Sequence, residues 1–443
     1  MVQKNAILLK EGMDPLEVFP PEICLRIFKL LGPKDLCSCL AVNHQWRNLA
    51  NTEKYWQLFC DKRVMIQLNE IEEAGEMPLC HHAAAYINYM NRLVRNWKEC
   101  RFKSSQLPKH DWYCCIAGYK RNIAIYYPRT ANVHIFHISK NVDIICDIHV
   151  GLPYGISIPD VFINEYFLVV SKGNVVLVYN NDIGYSLYKV IVGNEFGLTI
   201  SSHIIPFVET DKRLYVKVIN ENTLWVESNI VYVVDIISDT YRALNDTFRC
   251  LRVDGKYIYA ANDVVTCYNL QGDKKFSLSI RCVEDMWVKD ELVVVLMGGN
   301  SQQLQLWNLK TKSMLSIIQV EKDPCVSISP ELDNIYVLEI VDNLYAITCY
   351  STRTSSLIWQ YKRQYEREIS IHPEIRIICD RFIFARPSHT CDKNFILLDS
   401  KSGKVLYDNM MPPCLSPPCY IYHMSDEFLI TAESDTVHIR RYV

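Results

Sequence analysis

A chain of 443 residues is too long for one ordinary hydrophobic core, so two or more domains are expected. Apolar residues make up 49% and charged residues 22%, which excludes a disordered chain, and a formal net charge of −3 excludes a whole-chain nucleic-acid binder while leaving room for a local basic pocket. Met1 to Glu11 lack the apolar core of a signal peptide, and no apolar run reaches the ~18 residues of a membrane span, so a cytoplasmic or nuclear protein without a membrane partner is expected.

The 18 cysteines scatter through apolar stretches such as Cys114-Cys115, Cys250 and Cys282. With no export signal they read as reduced core thiols, since a free cysteine packs as a small hydrophobe.

The first elements, over residues 19–59, are predicted as short helices. Pro20-Pro21 suit a helix start, where the first backbone N–H groups have no intrahelical partner, and Glu22 suits the positive end of the helix dipole. Ile23, Ile27, Leu30 and Leu31 then recur as one apolar face, and Gly32-Pro33 stops the helix. Pro33 opens a second helix carrying Leu36, Leu40 and Val42; Trp46 and Leu49 mark a third, and Tyr55, Trp56, Leu58 and Phe59 follow.

Phe19-Pro20-Pro21-Glu22-Ile23, Ile27, Leu30-Leu31, Pro33-Lys34-Asp35-Leu36, Leu40-Ala41-Val42-Asn43, Trp46-Arg47 and Trp56 together resemble an F-box in order, spacing and residue type. Phe19 is the one departure, standing where the family usually has leucine. The resemblance implies a domain over residues 15–62 that binds the adaptor Skp1, and through it a cullin and a RING subunit. It implies contact through Pro20, Pro21, Glu22, Ile23, Ile27, Leu30, Leu31, Pro33, Leu36, Leu40, Val42 and Trp46. The residues agree: a domain of about 45 residues cannot bury so many large apolar side chains by itself, and a surplus is expected to be partner surface.

Residues 63–110 read as a helical linker. Ala83-Ala84-Ala85, Ile87, Met90, Leu93, Val94 and Trp97 have the periodicity of an amphipathic helix, expected to serve as a stiff spacer. Cys80-His81-His82 at its start hints at a metal site but lacks a second pair at zinc-ligand spacing, so neither metal nor cofactor is expected. Cys414 and Cys419 fail the same test and read as a proline-rich loop.

From residue 111 to 443 the pattern turns to short β-branched and aromatic runs between turn residues. One kind of run, apolar and ending in a polar residue, recurs roughly every 40 residues, the length of a propeller blade. It appears at Val133–Phe136, Val175–Asn180, Ile230–Asp235, Val264–Asn269, Leu304–Asn308, Tyr345–Tyr350, Phe395–Asp399 and Val437–Tyr442. An all-β propeller of four-stranded blades follows, eight by this count, with seven left open because the third blade is long and poorly punctuated. The repeats resemble degenerate WD40 blades: no Gly-His or Trp-Asp dipeptide occurs, and Trp307-Asn308 comes nearest. Lys401-Ser402-Gly403-Lys404 and Trp359 also resemble quinoprotein-type propellers. Because the chain ends on a repeat strand, the last blade needs an outer strand from before the first, near Arg101 to Ser105.

Phe248-Arg249-Cys250-Leu251 and Ile280-Arg281-Cys282-Val283 begin two blades alike. The cysteine is expected to pack between blades. Arg249 and Arg281 are similar in place to arginines that hold phosphorylated degrons at the channel mouth of F-box/WD proteins, where the guanidinium fork suits phosphate. The plainer reading pairs them with Asp246, Glu284 or Asp285.

No phosphate loop, nucleophile elbow or His-Glu-x-x-His occurs. The resemblance therefore implies a non-enzymatic adaptor: the substrate-recognition subunit of a Skp1–cullin–F-box ubiquitin ligase, whose propeller takes a protein substrate and no nucleic acid. A Skp1-bound interaction protein without a ligase role is the alternative, and a quinoprotein enzyme a third reading.

Overall fold

In the computed structural model the chain divides into two compact units, residues 1–101 with Val443, and residues 102–442. The structure describes residues 14–60, 79–99, 101–108, 115–138, 142–150, 159–164, 166–172, 175–181, 184–192, 203–207, 213–220, 228–235, 240–247, 250–253, 257–261, 264–280, 283–298, 302–321, 324–329, 332–341, 344–364, 374–386, 396–408, 420–432 and 436–442.

The first unit is helical: α1 (Pro15–Val18), α2 (Pro21–Leu30), α3 (Pro33–Cys39), α4 (His44–Ala50), α5 (Glu53–Trp56) and α6 (His81–Lys98). Proline takes an opening position of α1, α2 and α3, where its missing N–H costs nothing. Asn43 caps α4 by accepting the Trp46 backbone N–H at 2.9 Å. The core gathers Phe28, Leu36, Cys39, Ala50, Tyr55, Trp56 and Ala83. Phe28 lies against Trp46 and Tyr55, with ring centroids at 5.6 and 6.3 Å, and the buried Trp56 indole donates to the Ala50 carbonyl at 2.7 Å.

The face of α2 that points inward is not the one its leucines and isoleucines suggest. Cys24 and Phe28 are buried, whereas Ile23, Ile27 and Leu30 are exposed. The aromatic Phe28 completes the cluster with Trp46 and Tyr55, and its burial carries the i, i+4 neighbour Cys24 inward with it.

Among the described residues, the second unit holds eight four-stranded antiparallel sheets. Seven are built from four consecutive strands each, and the eighth joins the first strand of the unit to its last three. Each repeat run is the third strand of its sheet, from Asn132–Ile138 to Thr436–Arg441. Its alternate faces pack on the sheet before and the sheet after. One cluster therefore joins Ile116, Ile125 and Phe136 to Phe428, Ile430 and Ile439, and another joins Tyr259 and Cys267 to Val283, Met286 and Val293.

The expected closing strand is Lys103–Pro108, inside the stretch read as linker. It pairs antiparallel with Thr436–Arg441 in continuous register, from Lys103 opposite Arg441 to Pro108 opposite Thr436. Leu107 thereby joins the cluster between the last sheet and its neighbour. The cysteines that open blades pack between sheets as expected where they are described: Cys250 in the cluster with Val283 and Met286, and Cys325 against the one holding Ile375 and Ile383.

Candidate functional site

Among the described residues, the helical unit carries several large apolar side chains that are exposed. Ile23, Ile27 and Leu30 stand at i, i+4 and i+7, one stripe along α2. Leu30 is 86% exposed, and Val42 and Leu58 are 59% and 75% exposed. Of the residues expected to touch an adaptor, Pro20, Pro21, Glu22, Ile23, Ile27, Leu30 and Val42 are at the surface, and Leu31, Pro33, Leu40 and Trp46 are half-buried. Leu36 is fully buried and belongs to the core, since α3 packs that face against Phe28 and Trp56.

Asp14 ties this surface together, and sequence reasoning missed it. Its carboxylate accepts the Leu16 backbone N–H and the Trp46 indole N–H, both at 2.9 Å, and the Asn43 side-chain amide at 3.1 Å. The Leu16 N–H first, then the Trp46 indole, hold this carboxyl below its ordinary range. The signal was available: an Asp before Pro15 is an N-cap. The exposed Leu25 was also passed over, because it falls outside the spacing of the apolar face, and Leu58 was named without being placed on the contact surface.

A family model described as F-box-like matches residues 16–62. The N-terminal domain is an F-box-like domain. Two curated relatives match over stretches of about the length of that domain: F-box/LRR-repeat protein 5 of Xenopus laevis, 50% identical over 48 residues, and a probable E3 ubiquitin ligase complex SCF subunit, sconB, of Arthroderma benhamiae, 35% identical over 52. The matches cover 11% and 12% of this chain and only 7% and 8% of those proteins, so the chain spans less than a tenth of the length of either relative. The second unit resembles solved propellers in fold alone. The Dos1 propeller superposes with a TM-score of 0.55 at 9% identity, covering 78% of this chain and 96% of that one. The WD40 domain of fission-yeast SCAP gives 0.50 at 10%, covering 77% and 98%. The chain is thus an F-box-like domain followed by a WD40-like propeller.

In the propeller, turns joining first to second strands meet across sheet boundaries. Arg121 bridges Glu427 at 2.9 Å, and the Cys379 backbone N–H donates to Asp426 at 2.8 Å. Burial, reinforced by Asp380 and Glu427, holds the Asp426 carboxyl above its ordinary range against the pull of the Cys379 N–H. Burial likewise lowers Lys289, which Asp380 and Asp290 partly offset.

Arg249 and Arg281 lie outside the described residues. Two of the acids proposed to pair with them have other partners: Asp285 binds Arg252 at 2.7 Å, and Glu284 accepts from Gln302 at 2.9 Å. Cys80-His81-His82, set aside as a metal site for want of a second ligand pair, meets a further donor from another element. Glu53 of α5 touches His82, and one ligand atom each from Glu53, His81 and His82 lie within 4.8 Å of one another.

Proposed function

We propose that this chain is the substrate receptor of a Skp1–cullin–F-box ubiquitin ligase, with the F-box-like domain on Skp1 and the propeller on a protein substrate. The observation that carries the reading is the exposed apolar stripe Ile23, Ile27 and Leu30 on a domain that matches the F-box-like family. Side chains of this size stay exposed on a folded domain when a partner covers them. The short match to a probable SCF subunit supports the ligase assignment.

Such a protein has no chemistry of its own. It raises the effective concentration of substrate at the ubiquitin donor, a proximity effect. A propeller suits the role because its loops vary on a constant scaffold. The place of action follows as the cytoplasm or nucleus, with a protein partner and no nucleic acid, membrane or cofactor in the recognition step. Arg249 and Arg281 are the cations we assign to a phosphorylated substrate.

The test is a pull-down of the full chain with purified Skp1 beside Ile27→Asp and Leu30→Asp. Both side chains are exposed, so the variants keep their fold, and each is expected to weaken binding by at least about 2 kcal/mol, roughly thirtyfold, as hot-spot losses do. A wild-type chain that ignores Skp1 rejects the assignment. Once a substrate is in hand, an Arg249→Ala, Arg281→Ala variant that keeps full affinity for it rejects the phosphate role.

A further inference from the structure

Three donors of metal-ligand type converge where α5 meets the start of α6. One ligand atom each from the Glu53 carboxylate and the His81 and His82 imidazoles lie within 4.8 Å of one another. Glu53 Oε1 touches His82 Nδ1 and accepts the His82 backbone N–H at 3.2 Å. The two imidazole rings stand edge to face, with centroids 5.7 Å apart and planes at 82°.

Two thiols border the group. Cys60 Sγ donates to the His82 carbonyl at 3.2 Å, and Cys80 stands directly before His81. The Cys80 backbone N–H is held by Asn51 Oδ1 at 2.6 Å, which fixes the start of α6 against the residues before α5. A plain Glu–His pair accounts for Glu53 and His82. It does not account for His81, which brings a ring nitrogen within 4.8 Å of both other ligand atoms.

We propose that Glu53, His81 and His82 bind one zinc ion that clips the end of the F-box-like domain to the first turn of α6, with the fourth position left to solvent. The donor set is the reason for zinc: two imidazoles and one carboxylate are among its usual ligands, and hard cations such as calcium and magnesium take oxygen alone. The Glu53 carboxylate offsets part of the charge of a divalent ion, which the half-buried Glu53 and His82 favour.

His81 and His82 lie in the first turn of α6, and the third donor comes from another element. Glu53, 29 positions before His82, supplies it. With donors from both sides of that span the ion acts as a cross-link, and it stabilises the helical unit by mass action.

The test uses the full-length chain, stripped with a chelator and titrated with zinc chloride and, in parallel, with cobalt(II). One equivalent of zinc is expected, together with a rise in the melting temperature of the helical unit. Glu53→Gln and His81→Asn are each expected to lose at least the tenfold to hundredfold that even an outer-shell change costs in affinity. His81 is exposed, so His81→Asn keeps the fold and decides the matter if Glu53→Gln does not. Cobalt is expected to compete for the same equivalent, with visible ligand-field absorption that His81→Asn weakens. Zinc held as tightly by His81→Asn as by wild type, or no equivalent taken up, overturns the site.

Discussion

Gly403 is where a single hydrogen atom decides a fit. Its φ of +66° already favours glycine, and a Cβ would stand 2.6 Å from two ring atoms of Trp359. That indole cannot give way easily, because its Nε1 donates to the Ser400 carbonyl at 3.1 Å and its ring lies against Tyr336. Asp399 holds the same turn, accepting the backbone N–H groups of Lys401 and Ser402 at 3.1 and 2.9 Å. Gly403→Ala is expected to cost about 2–3 kcal/mol, and less in a Trp359→Ala background, which paired denaturation curves would read. Asp426 gives a pH-dependent counterpart. Burial and two neighbouring carboxylates raise its pKa in the folded state, so a penalty appears as pH rises above the ordinary carboxylate value and is absent below it. Asp426→Asn keeps the acceptor for the Cys379 N–H. It is expected to raise the denaturation midpoint at pH 7 and leave it unchanged below about pH 4. Trp359 and the turn at Gly403 were each noticeable in the sequence as a family likeness, but neither their contact nor the Asp426 environment was legible, because each joins parts of different sheets.

Helix α2 shows what periodicity can and cannot decide. Its limits were readable, since proline opens it and Gly32-Pro33 stops the run. Its orientation was not, because Ile23, Ile27 and Leu30 form one apolar stripe and Cys24 and Phe28 another. Which stripe turns inward depends on Trp46 and Tyr55, side chains of other helices. The same limit hid the donors around His82: Cys80-His81-His82 is a local string, while Glu53 reaches it only through the packing of α5 on α6. At α4 the cap is Asn43, a residue type preferred at that position. Asn43→Ala removes the bond to the Trp46 N–H and the link to Asp14, and is expected to cost about 1 kcal/mol of stability in the helical unit, measured by urea denaturation.

At the level of the whole molecule, the repeat was legible because every recurring run sits at the third strand of a sheet and, where its side chains are described, is largely buried and so nearly continuous in apolar residues. First and fourth strands are shorter or half-exposed and leave weaker marks; Ser313–Gln319 and Leu357–Gln364 alternate with solvent along their length. The boundary between units matters most here. A chain starting at Phe102 keeps the strand Lys103–Pro108 and is expected to be a soluble monomer. A chain starting at Asp111 leaves Thr436–Arg441 as a bare sheet edge and is expected to self-associate, which light scattering would show. That one pairing also sets a clock. Lys103 leaves the ribosome about 340 residues ahead of Arg441, its partner across the ladder, and at roughly 5–20 residues per second the strand waits on the order of 20–70 s for a mate. Through that interval the nascent chain carries a finished helical head and an open β arc, so its exposure to chaperones and to neighbouring chains is governed by the speed of translation rather than by the stability of the closed ring.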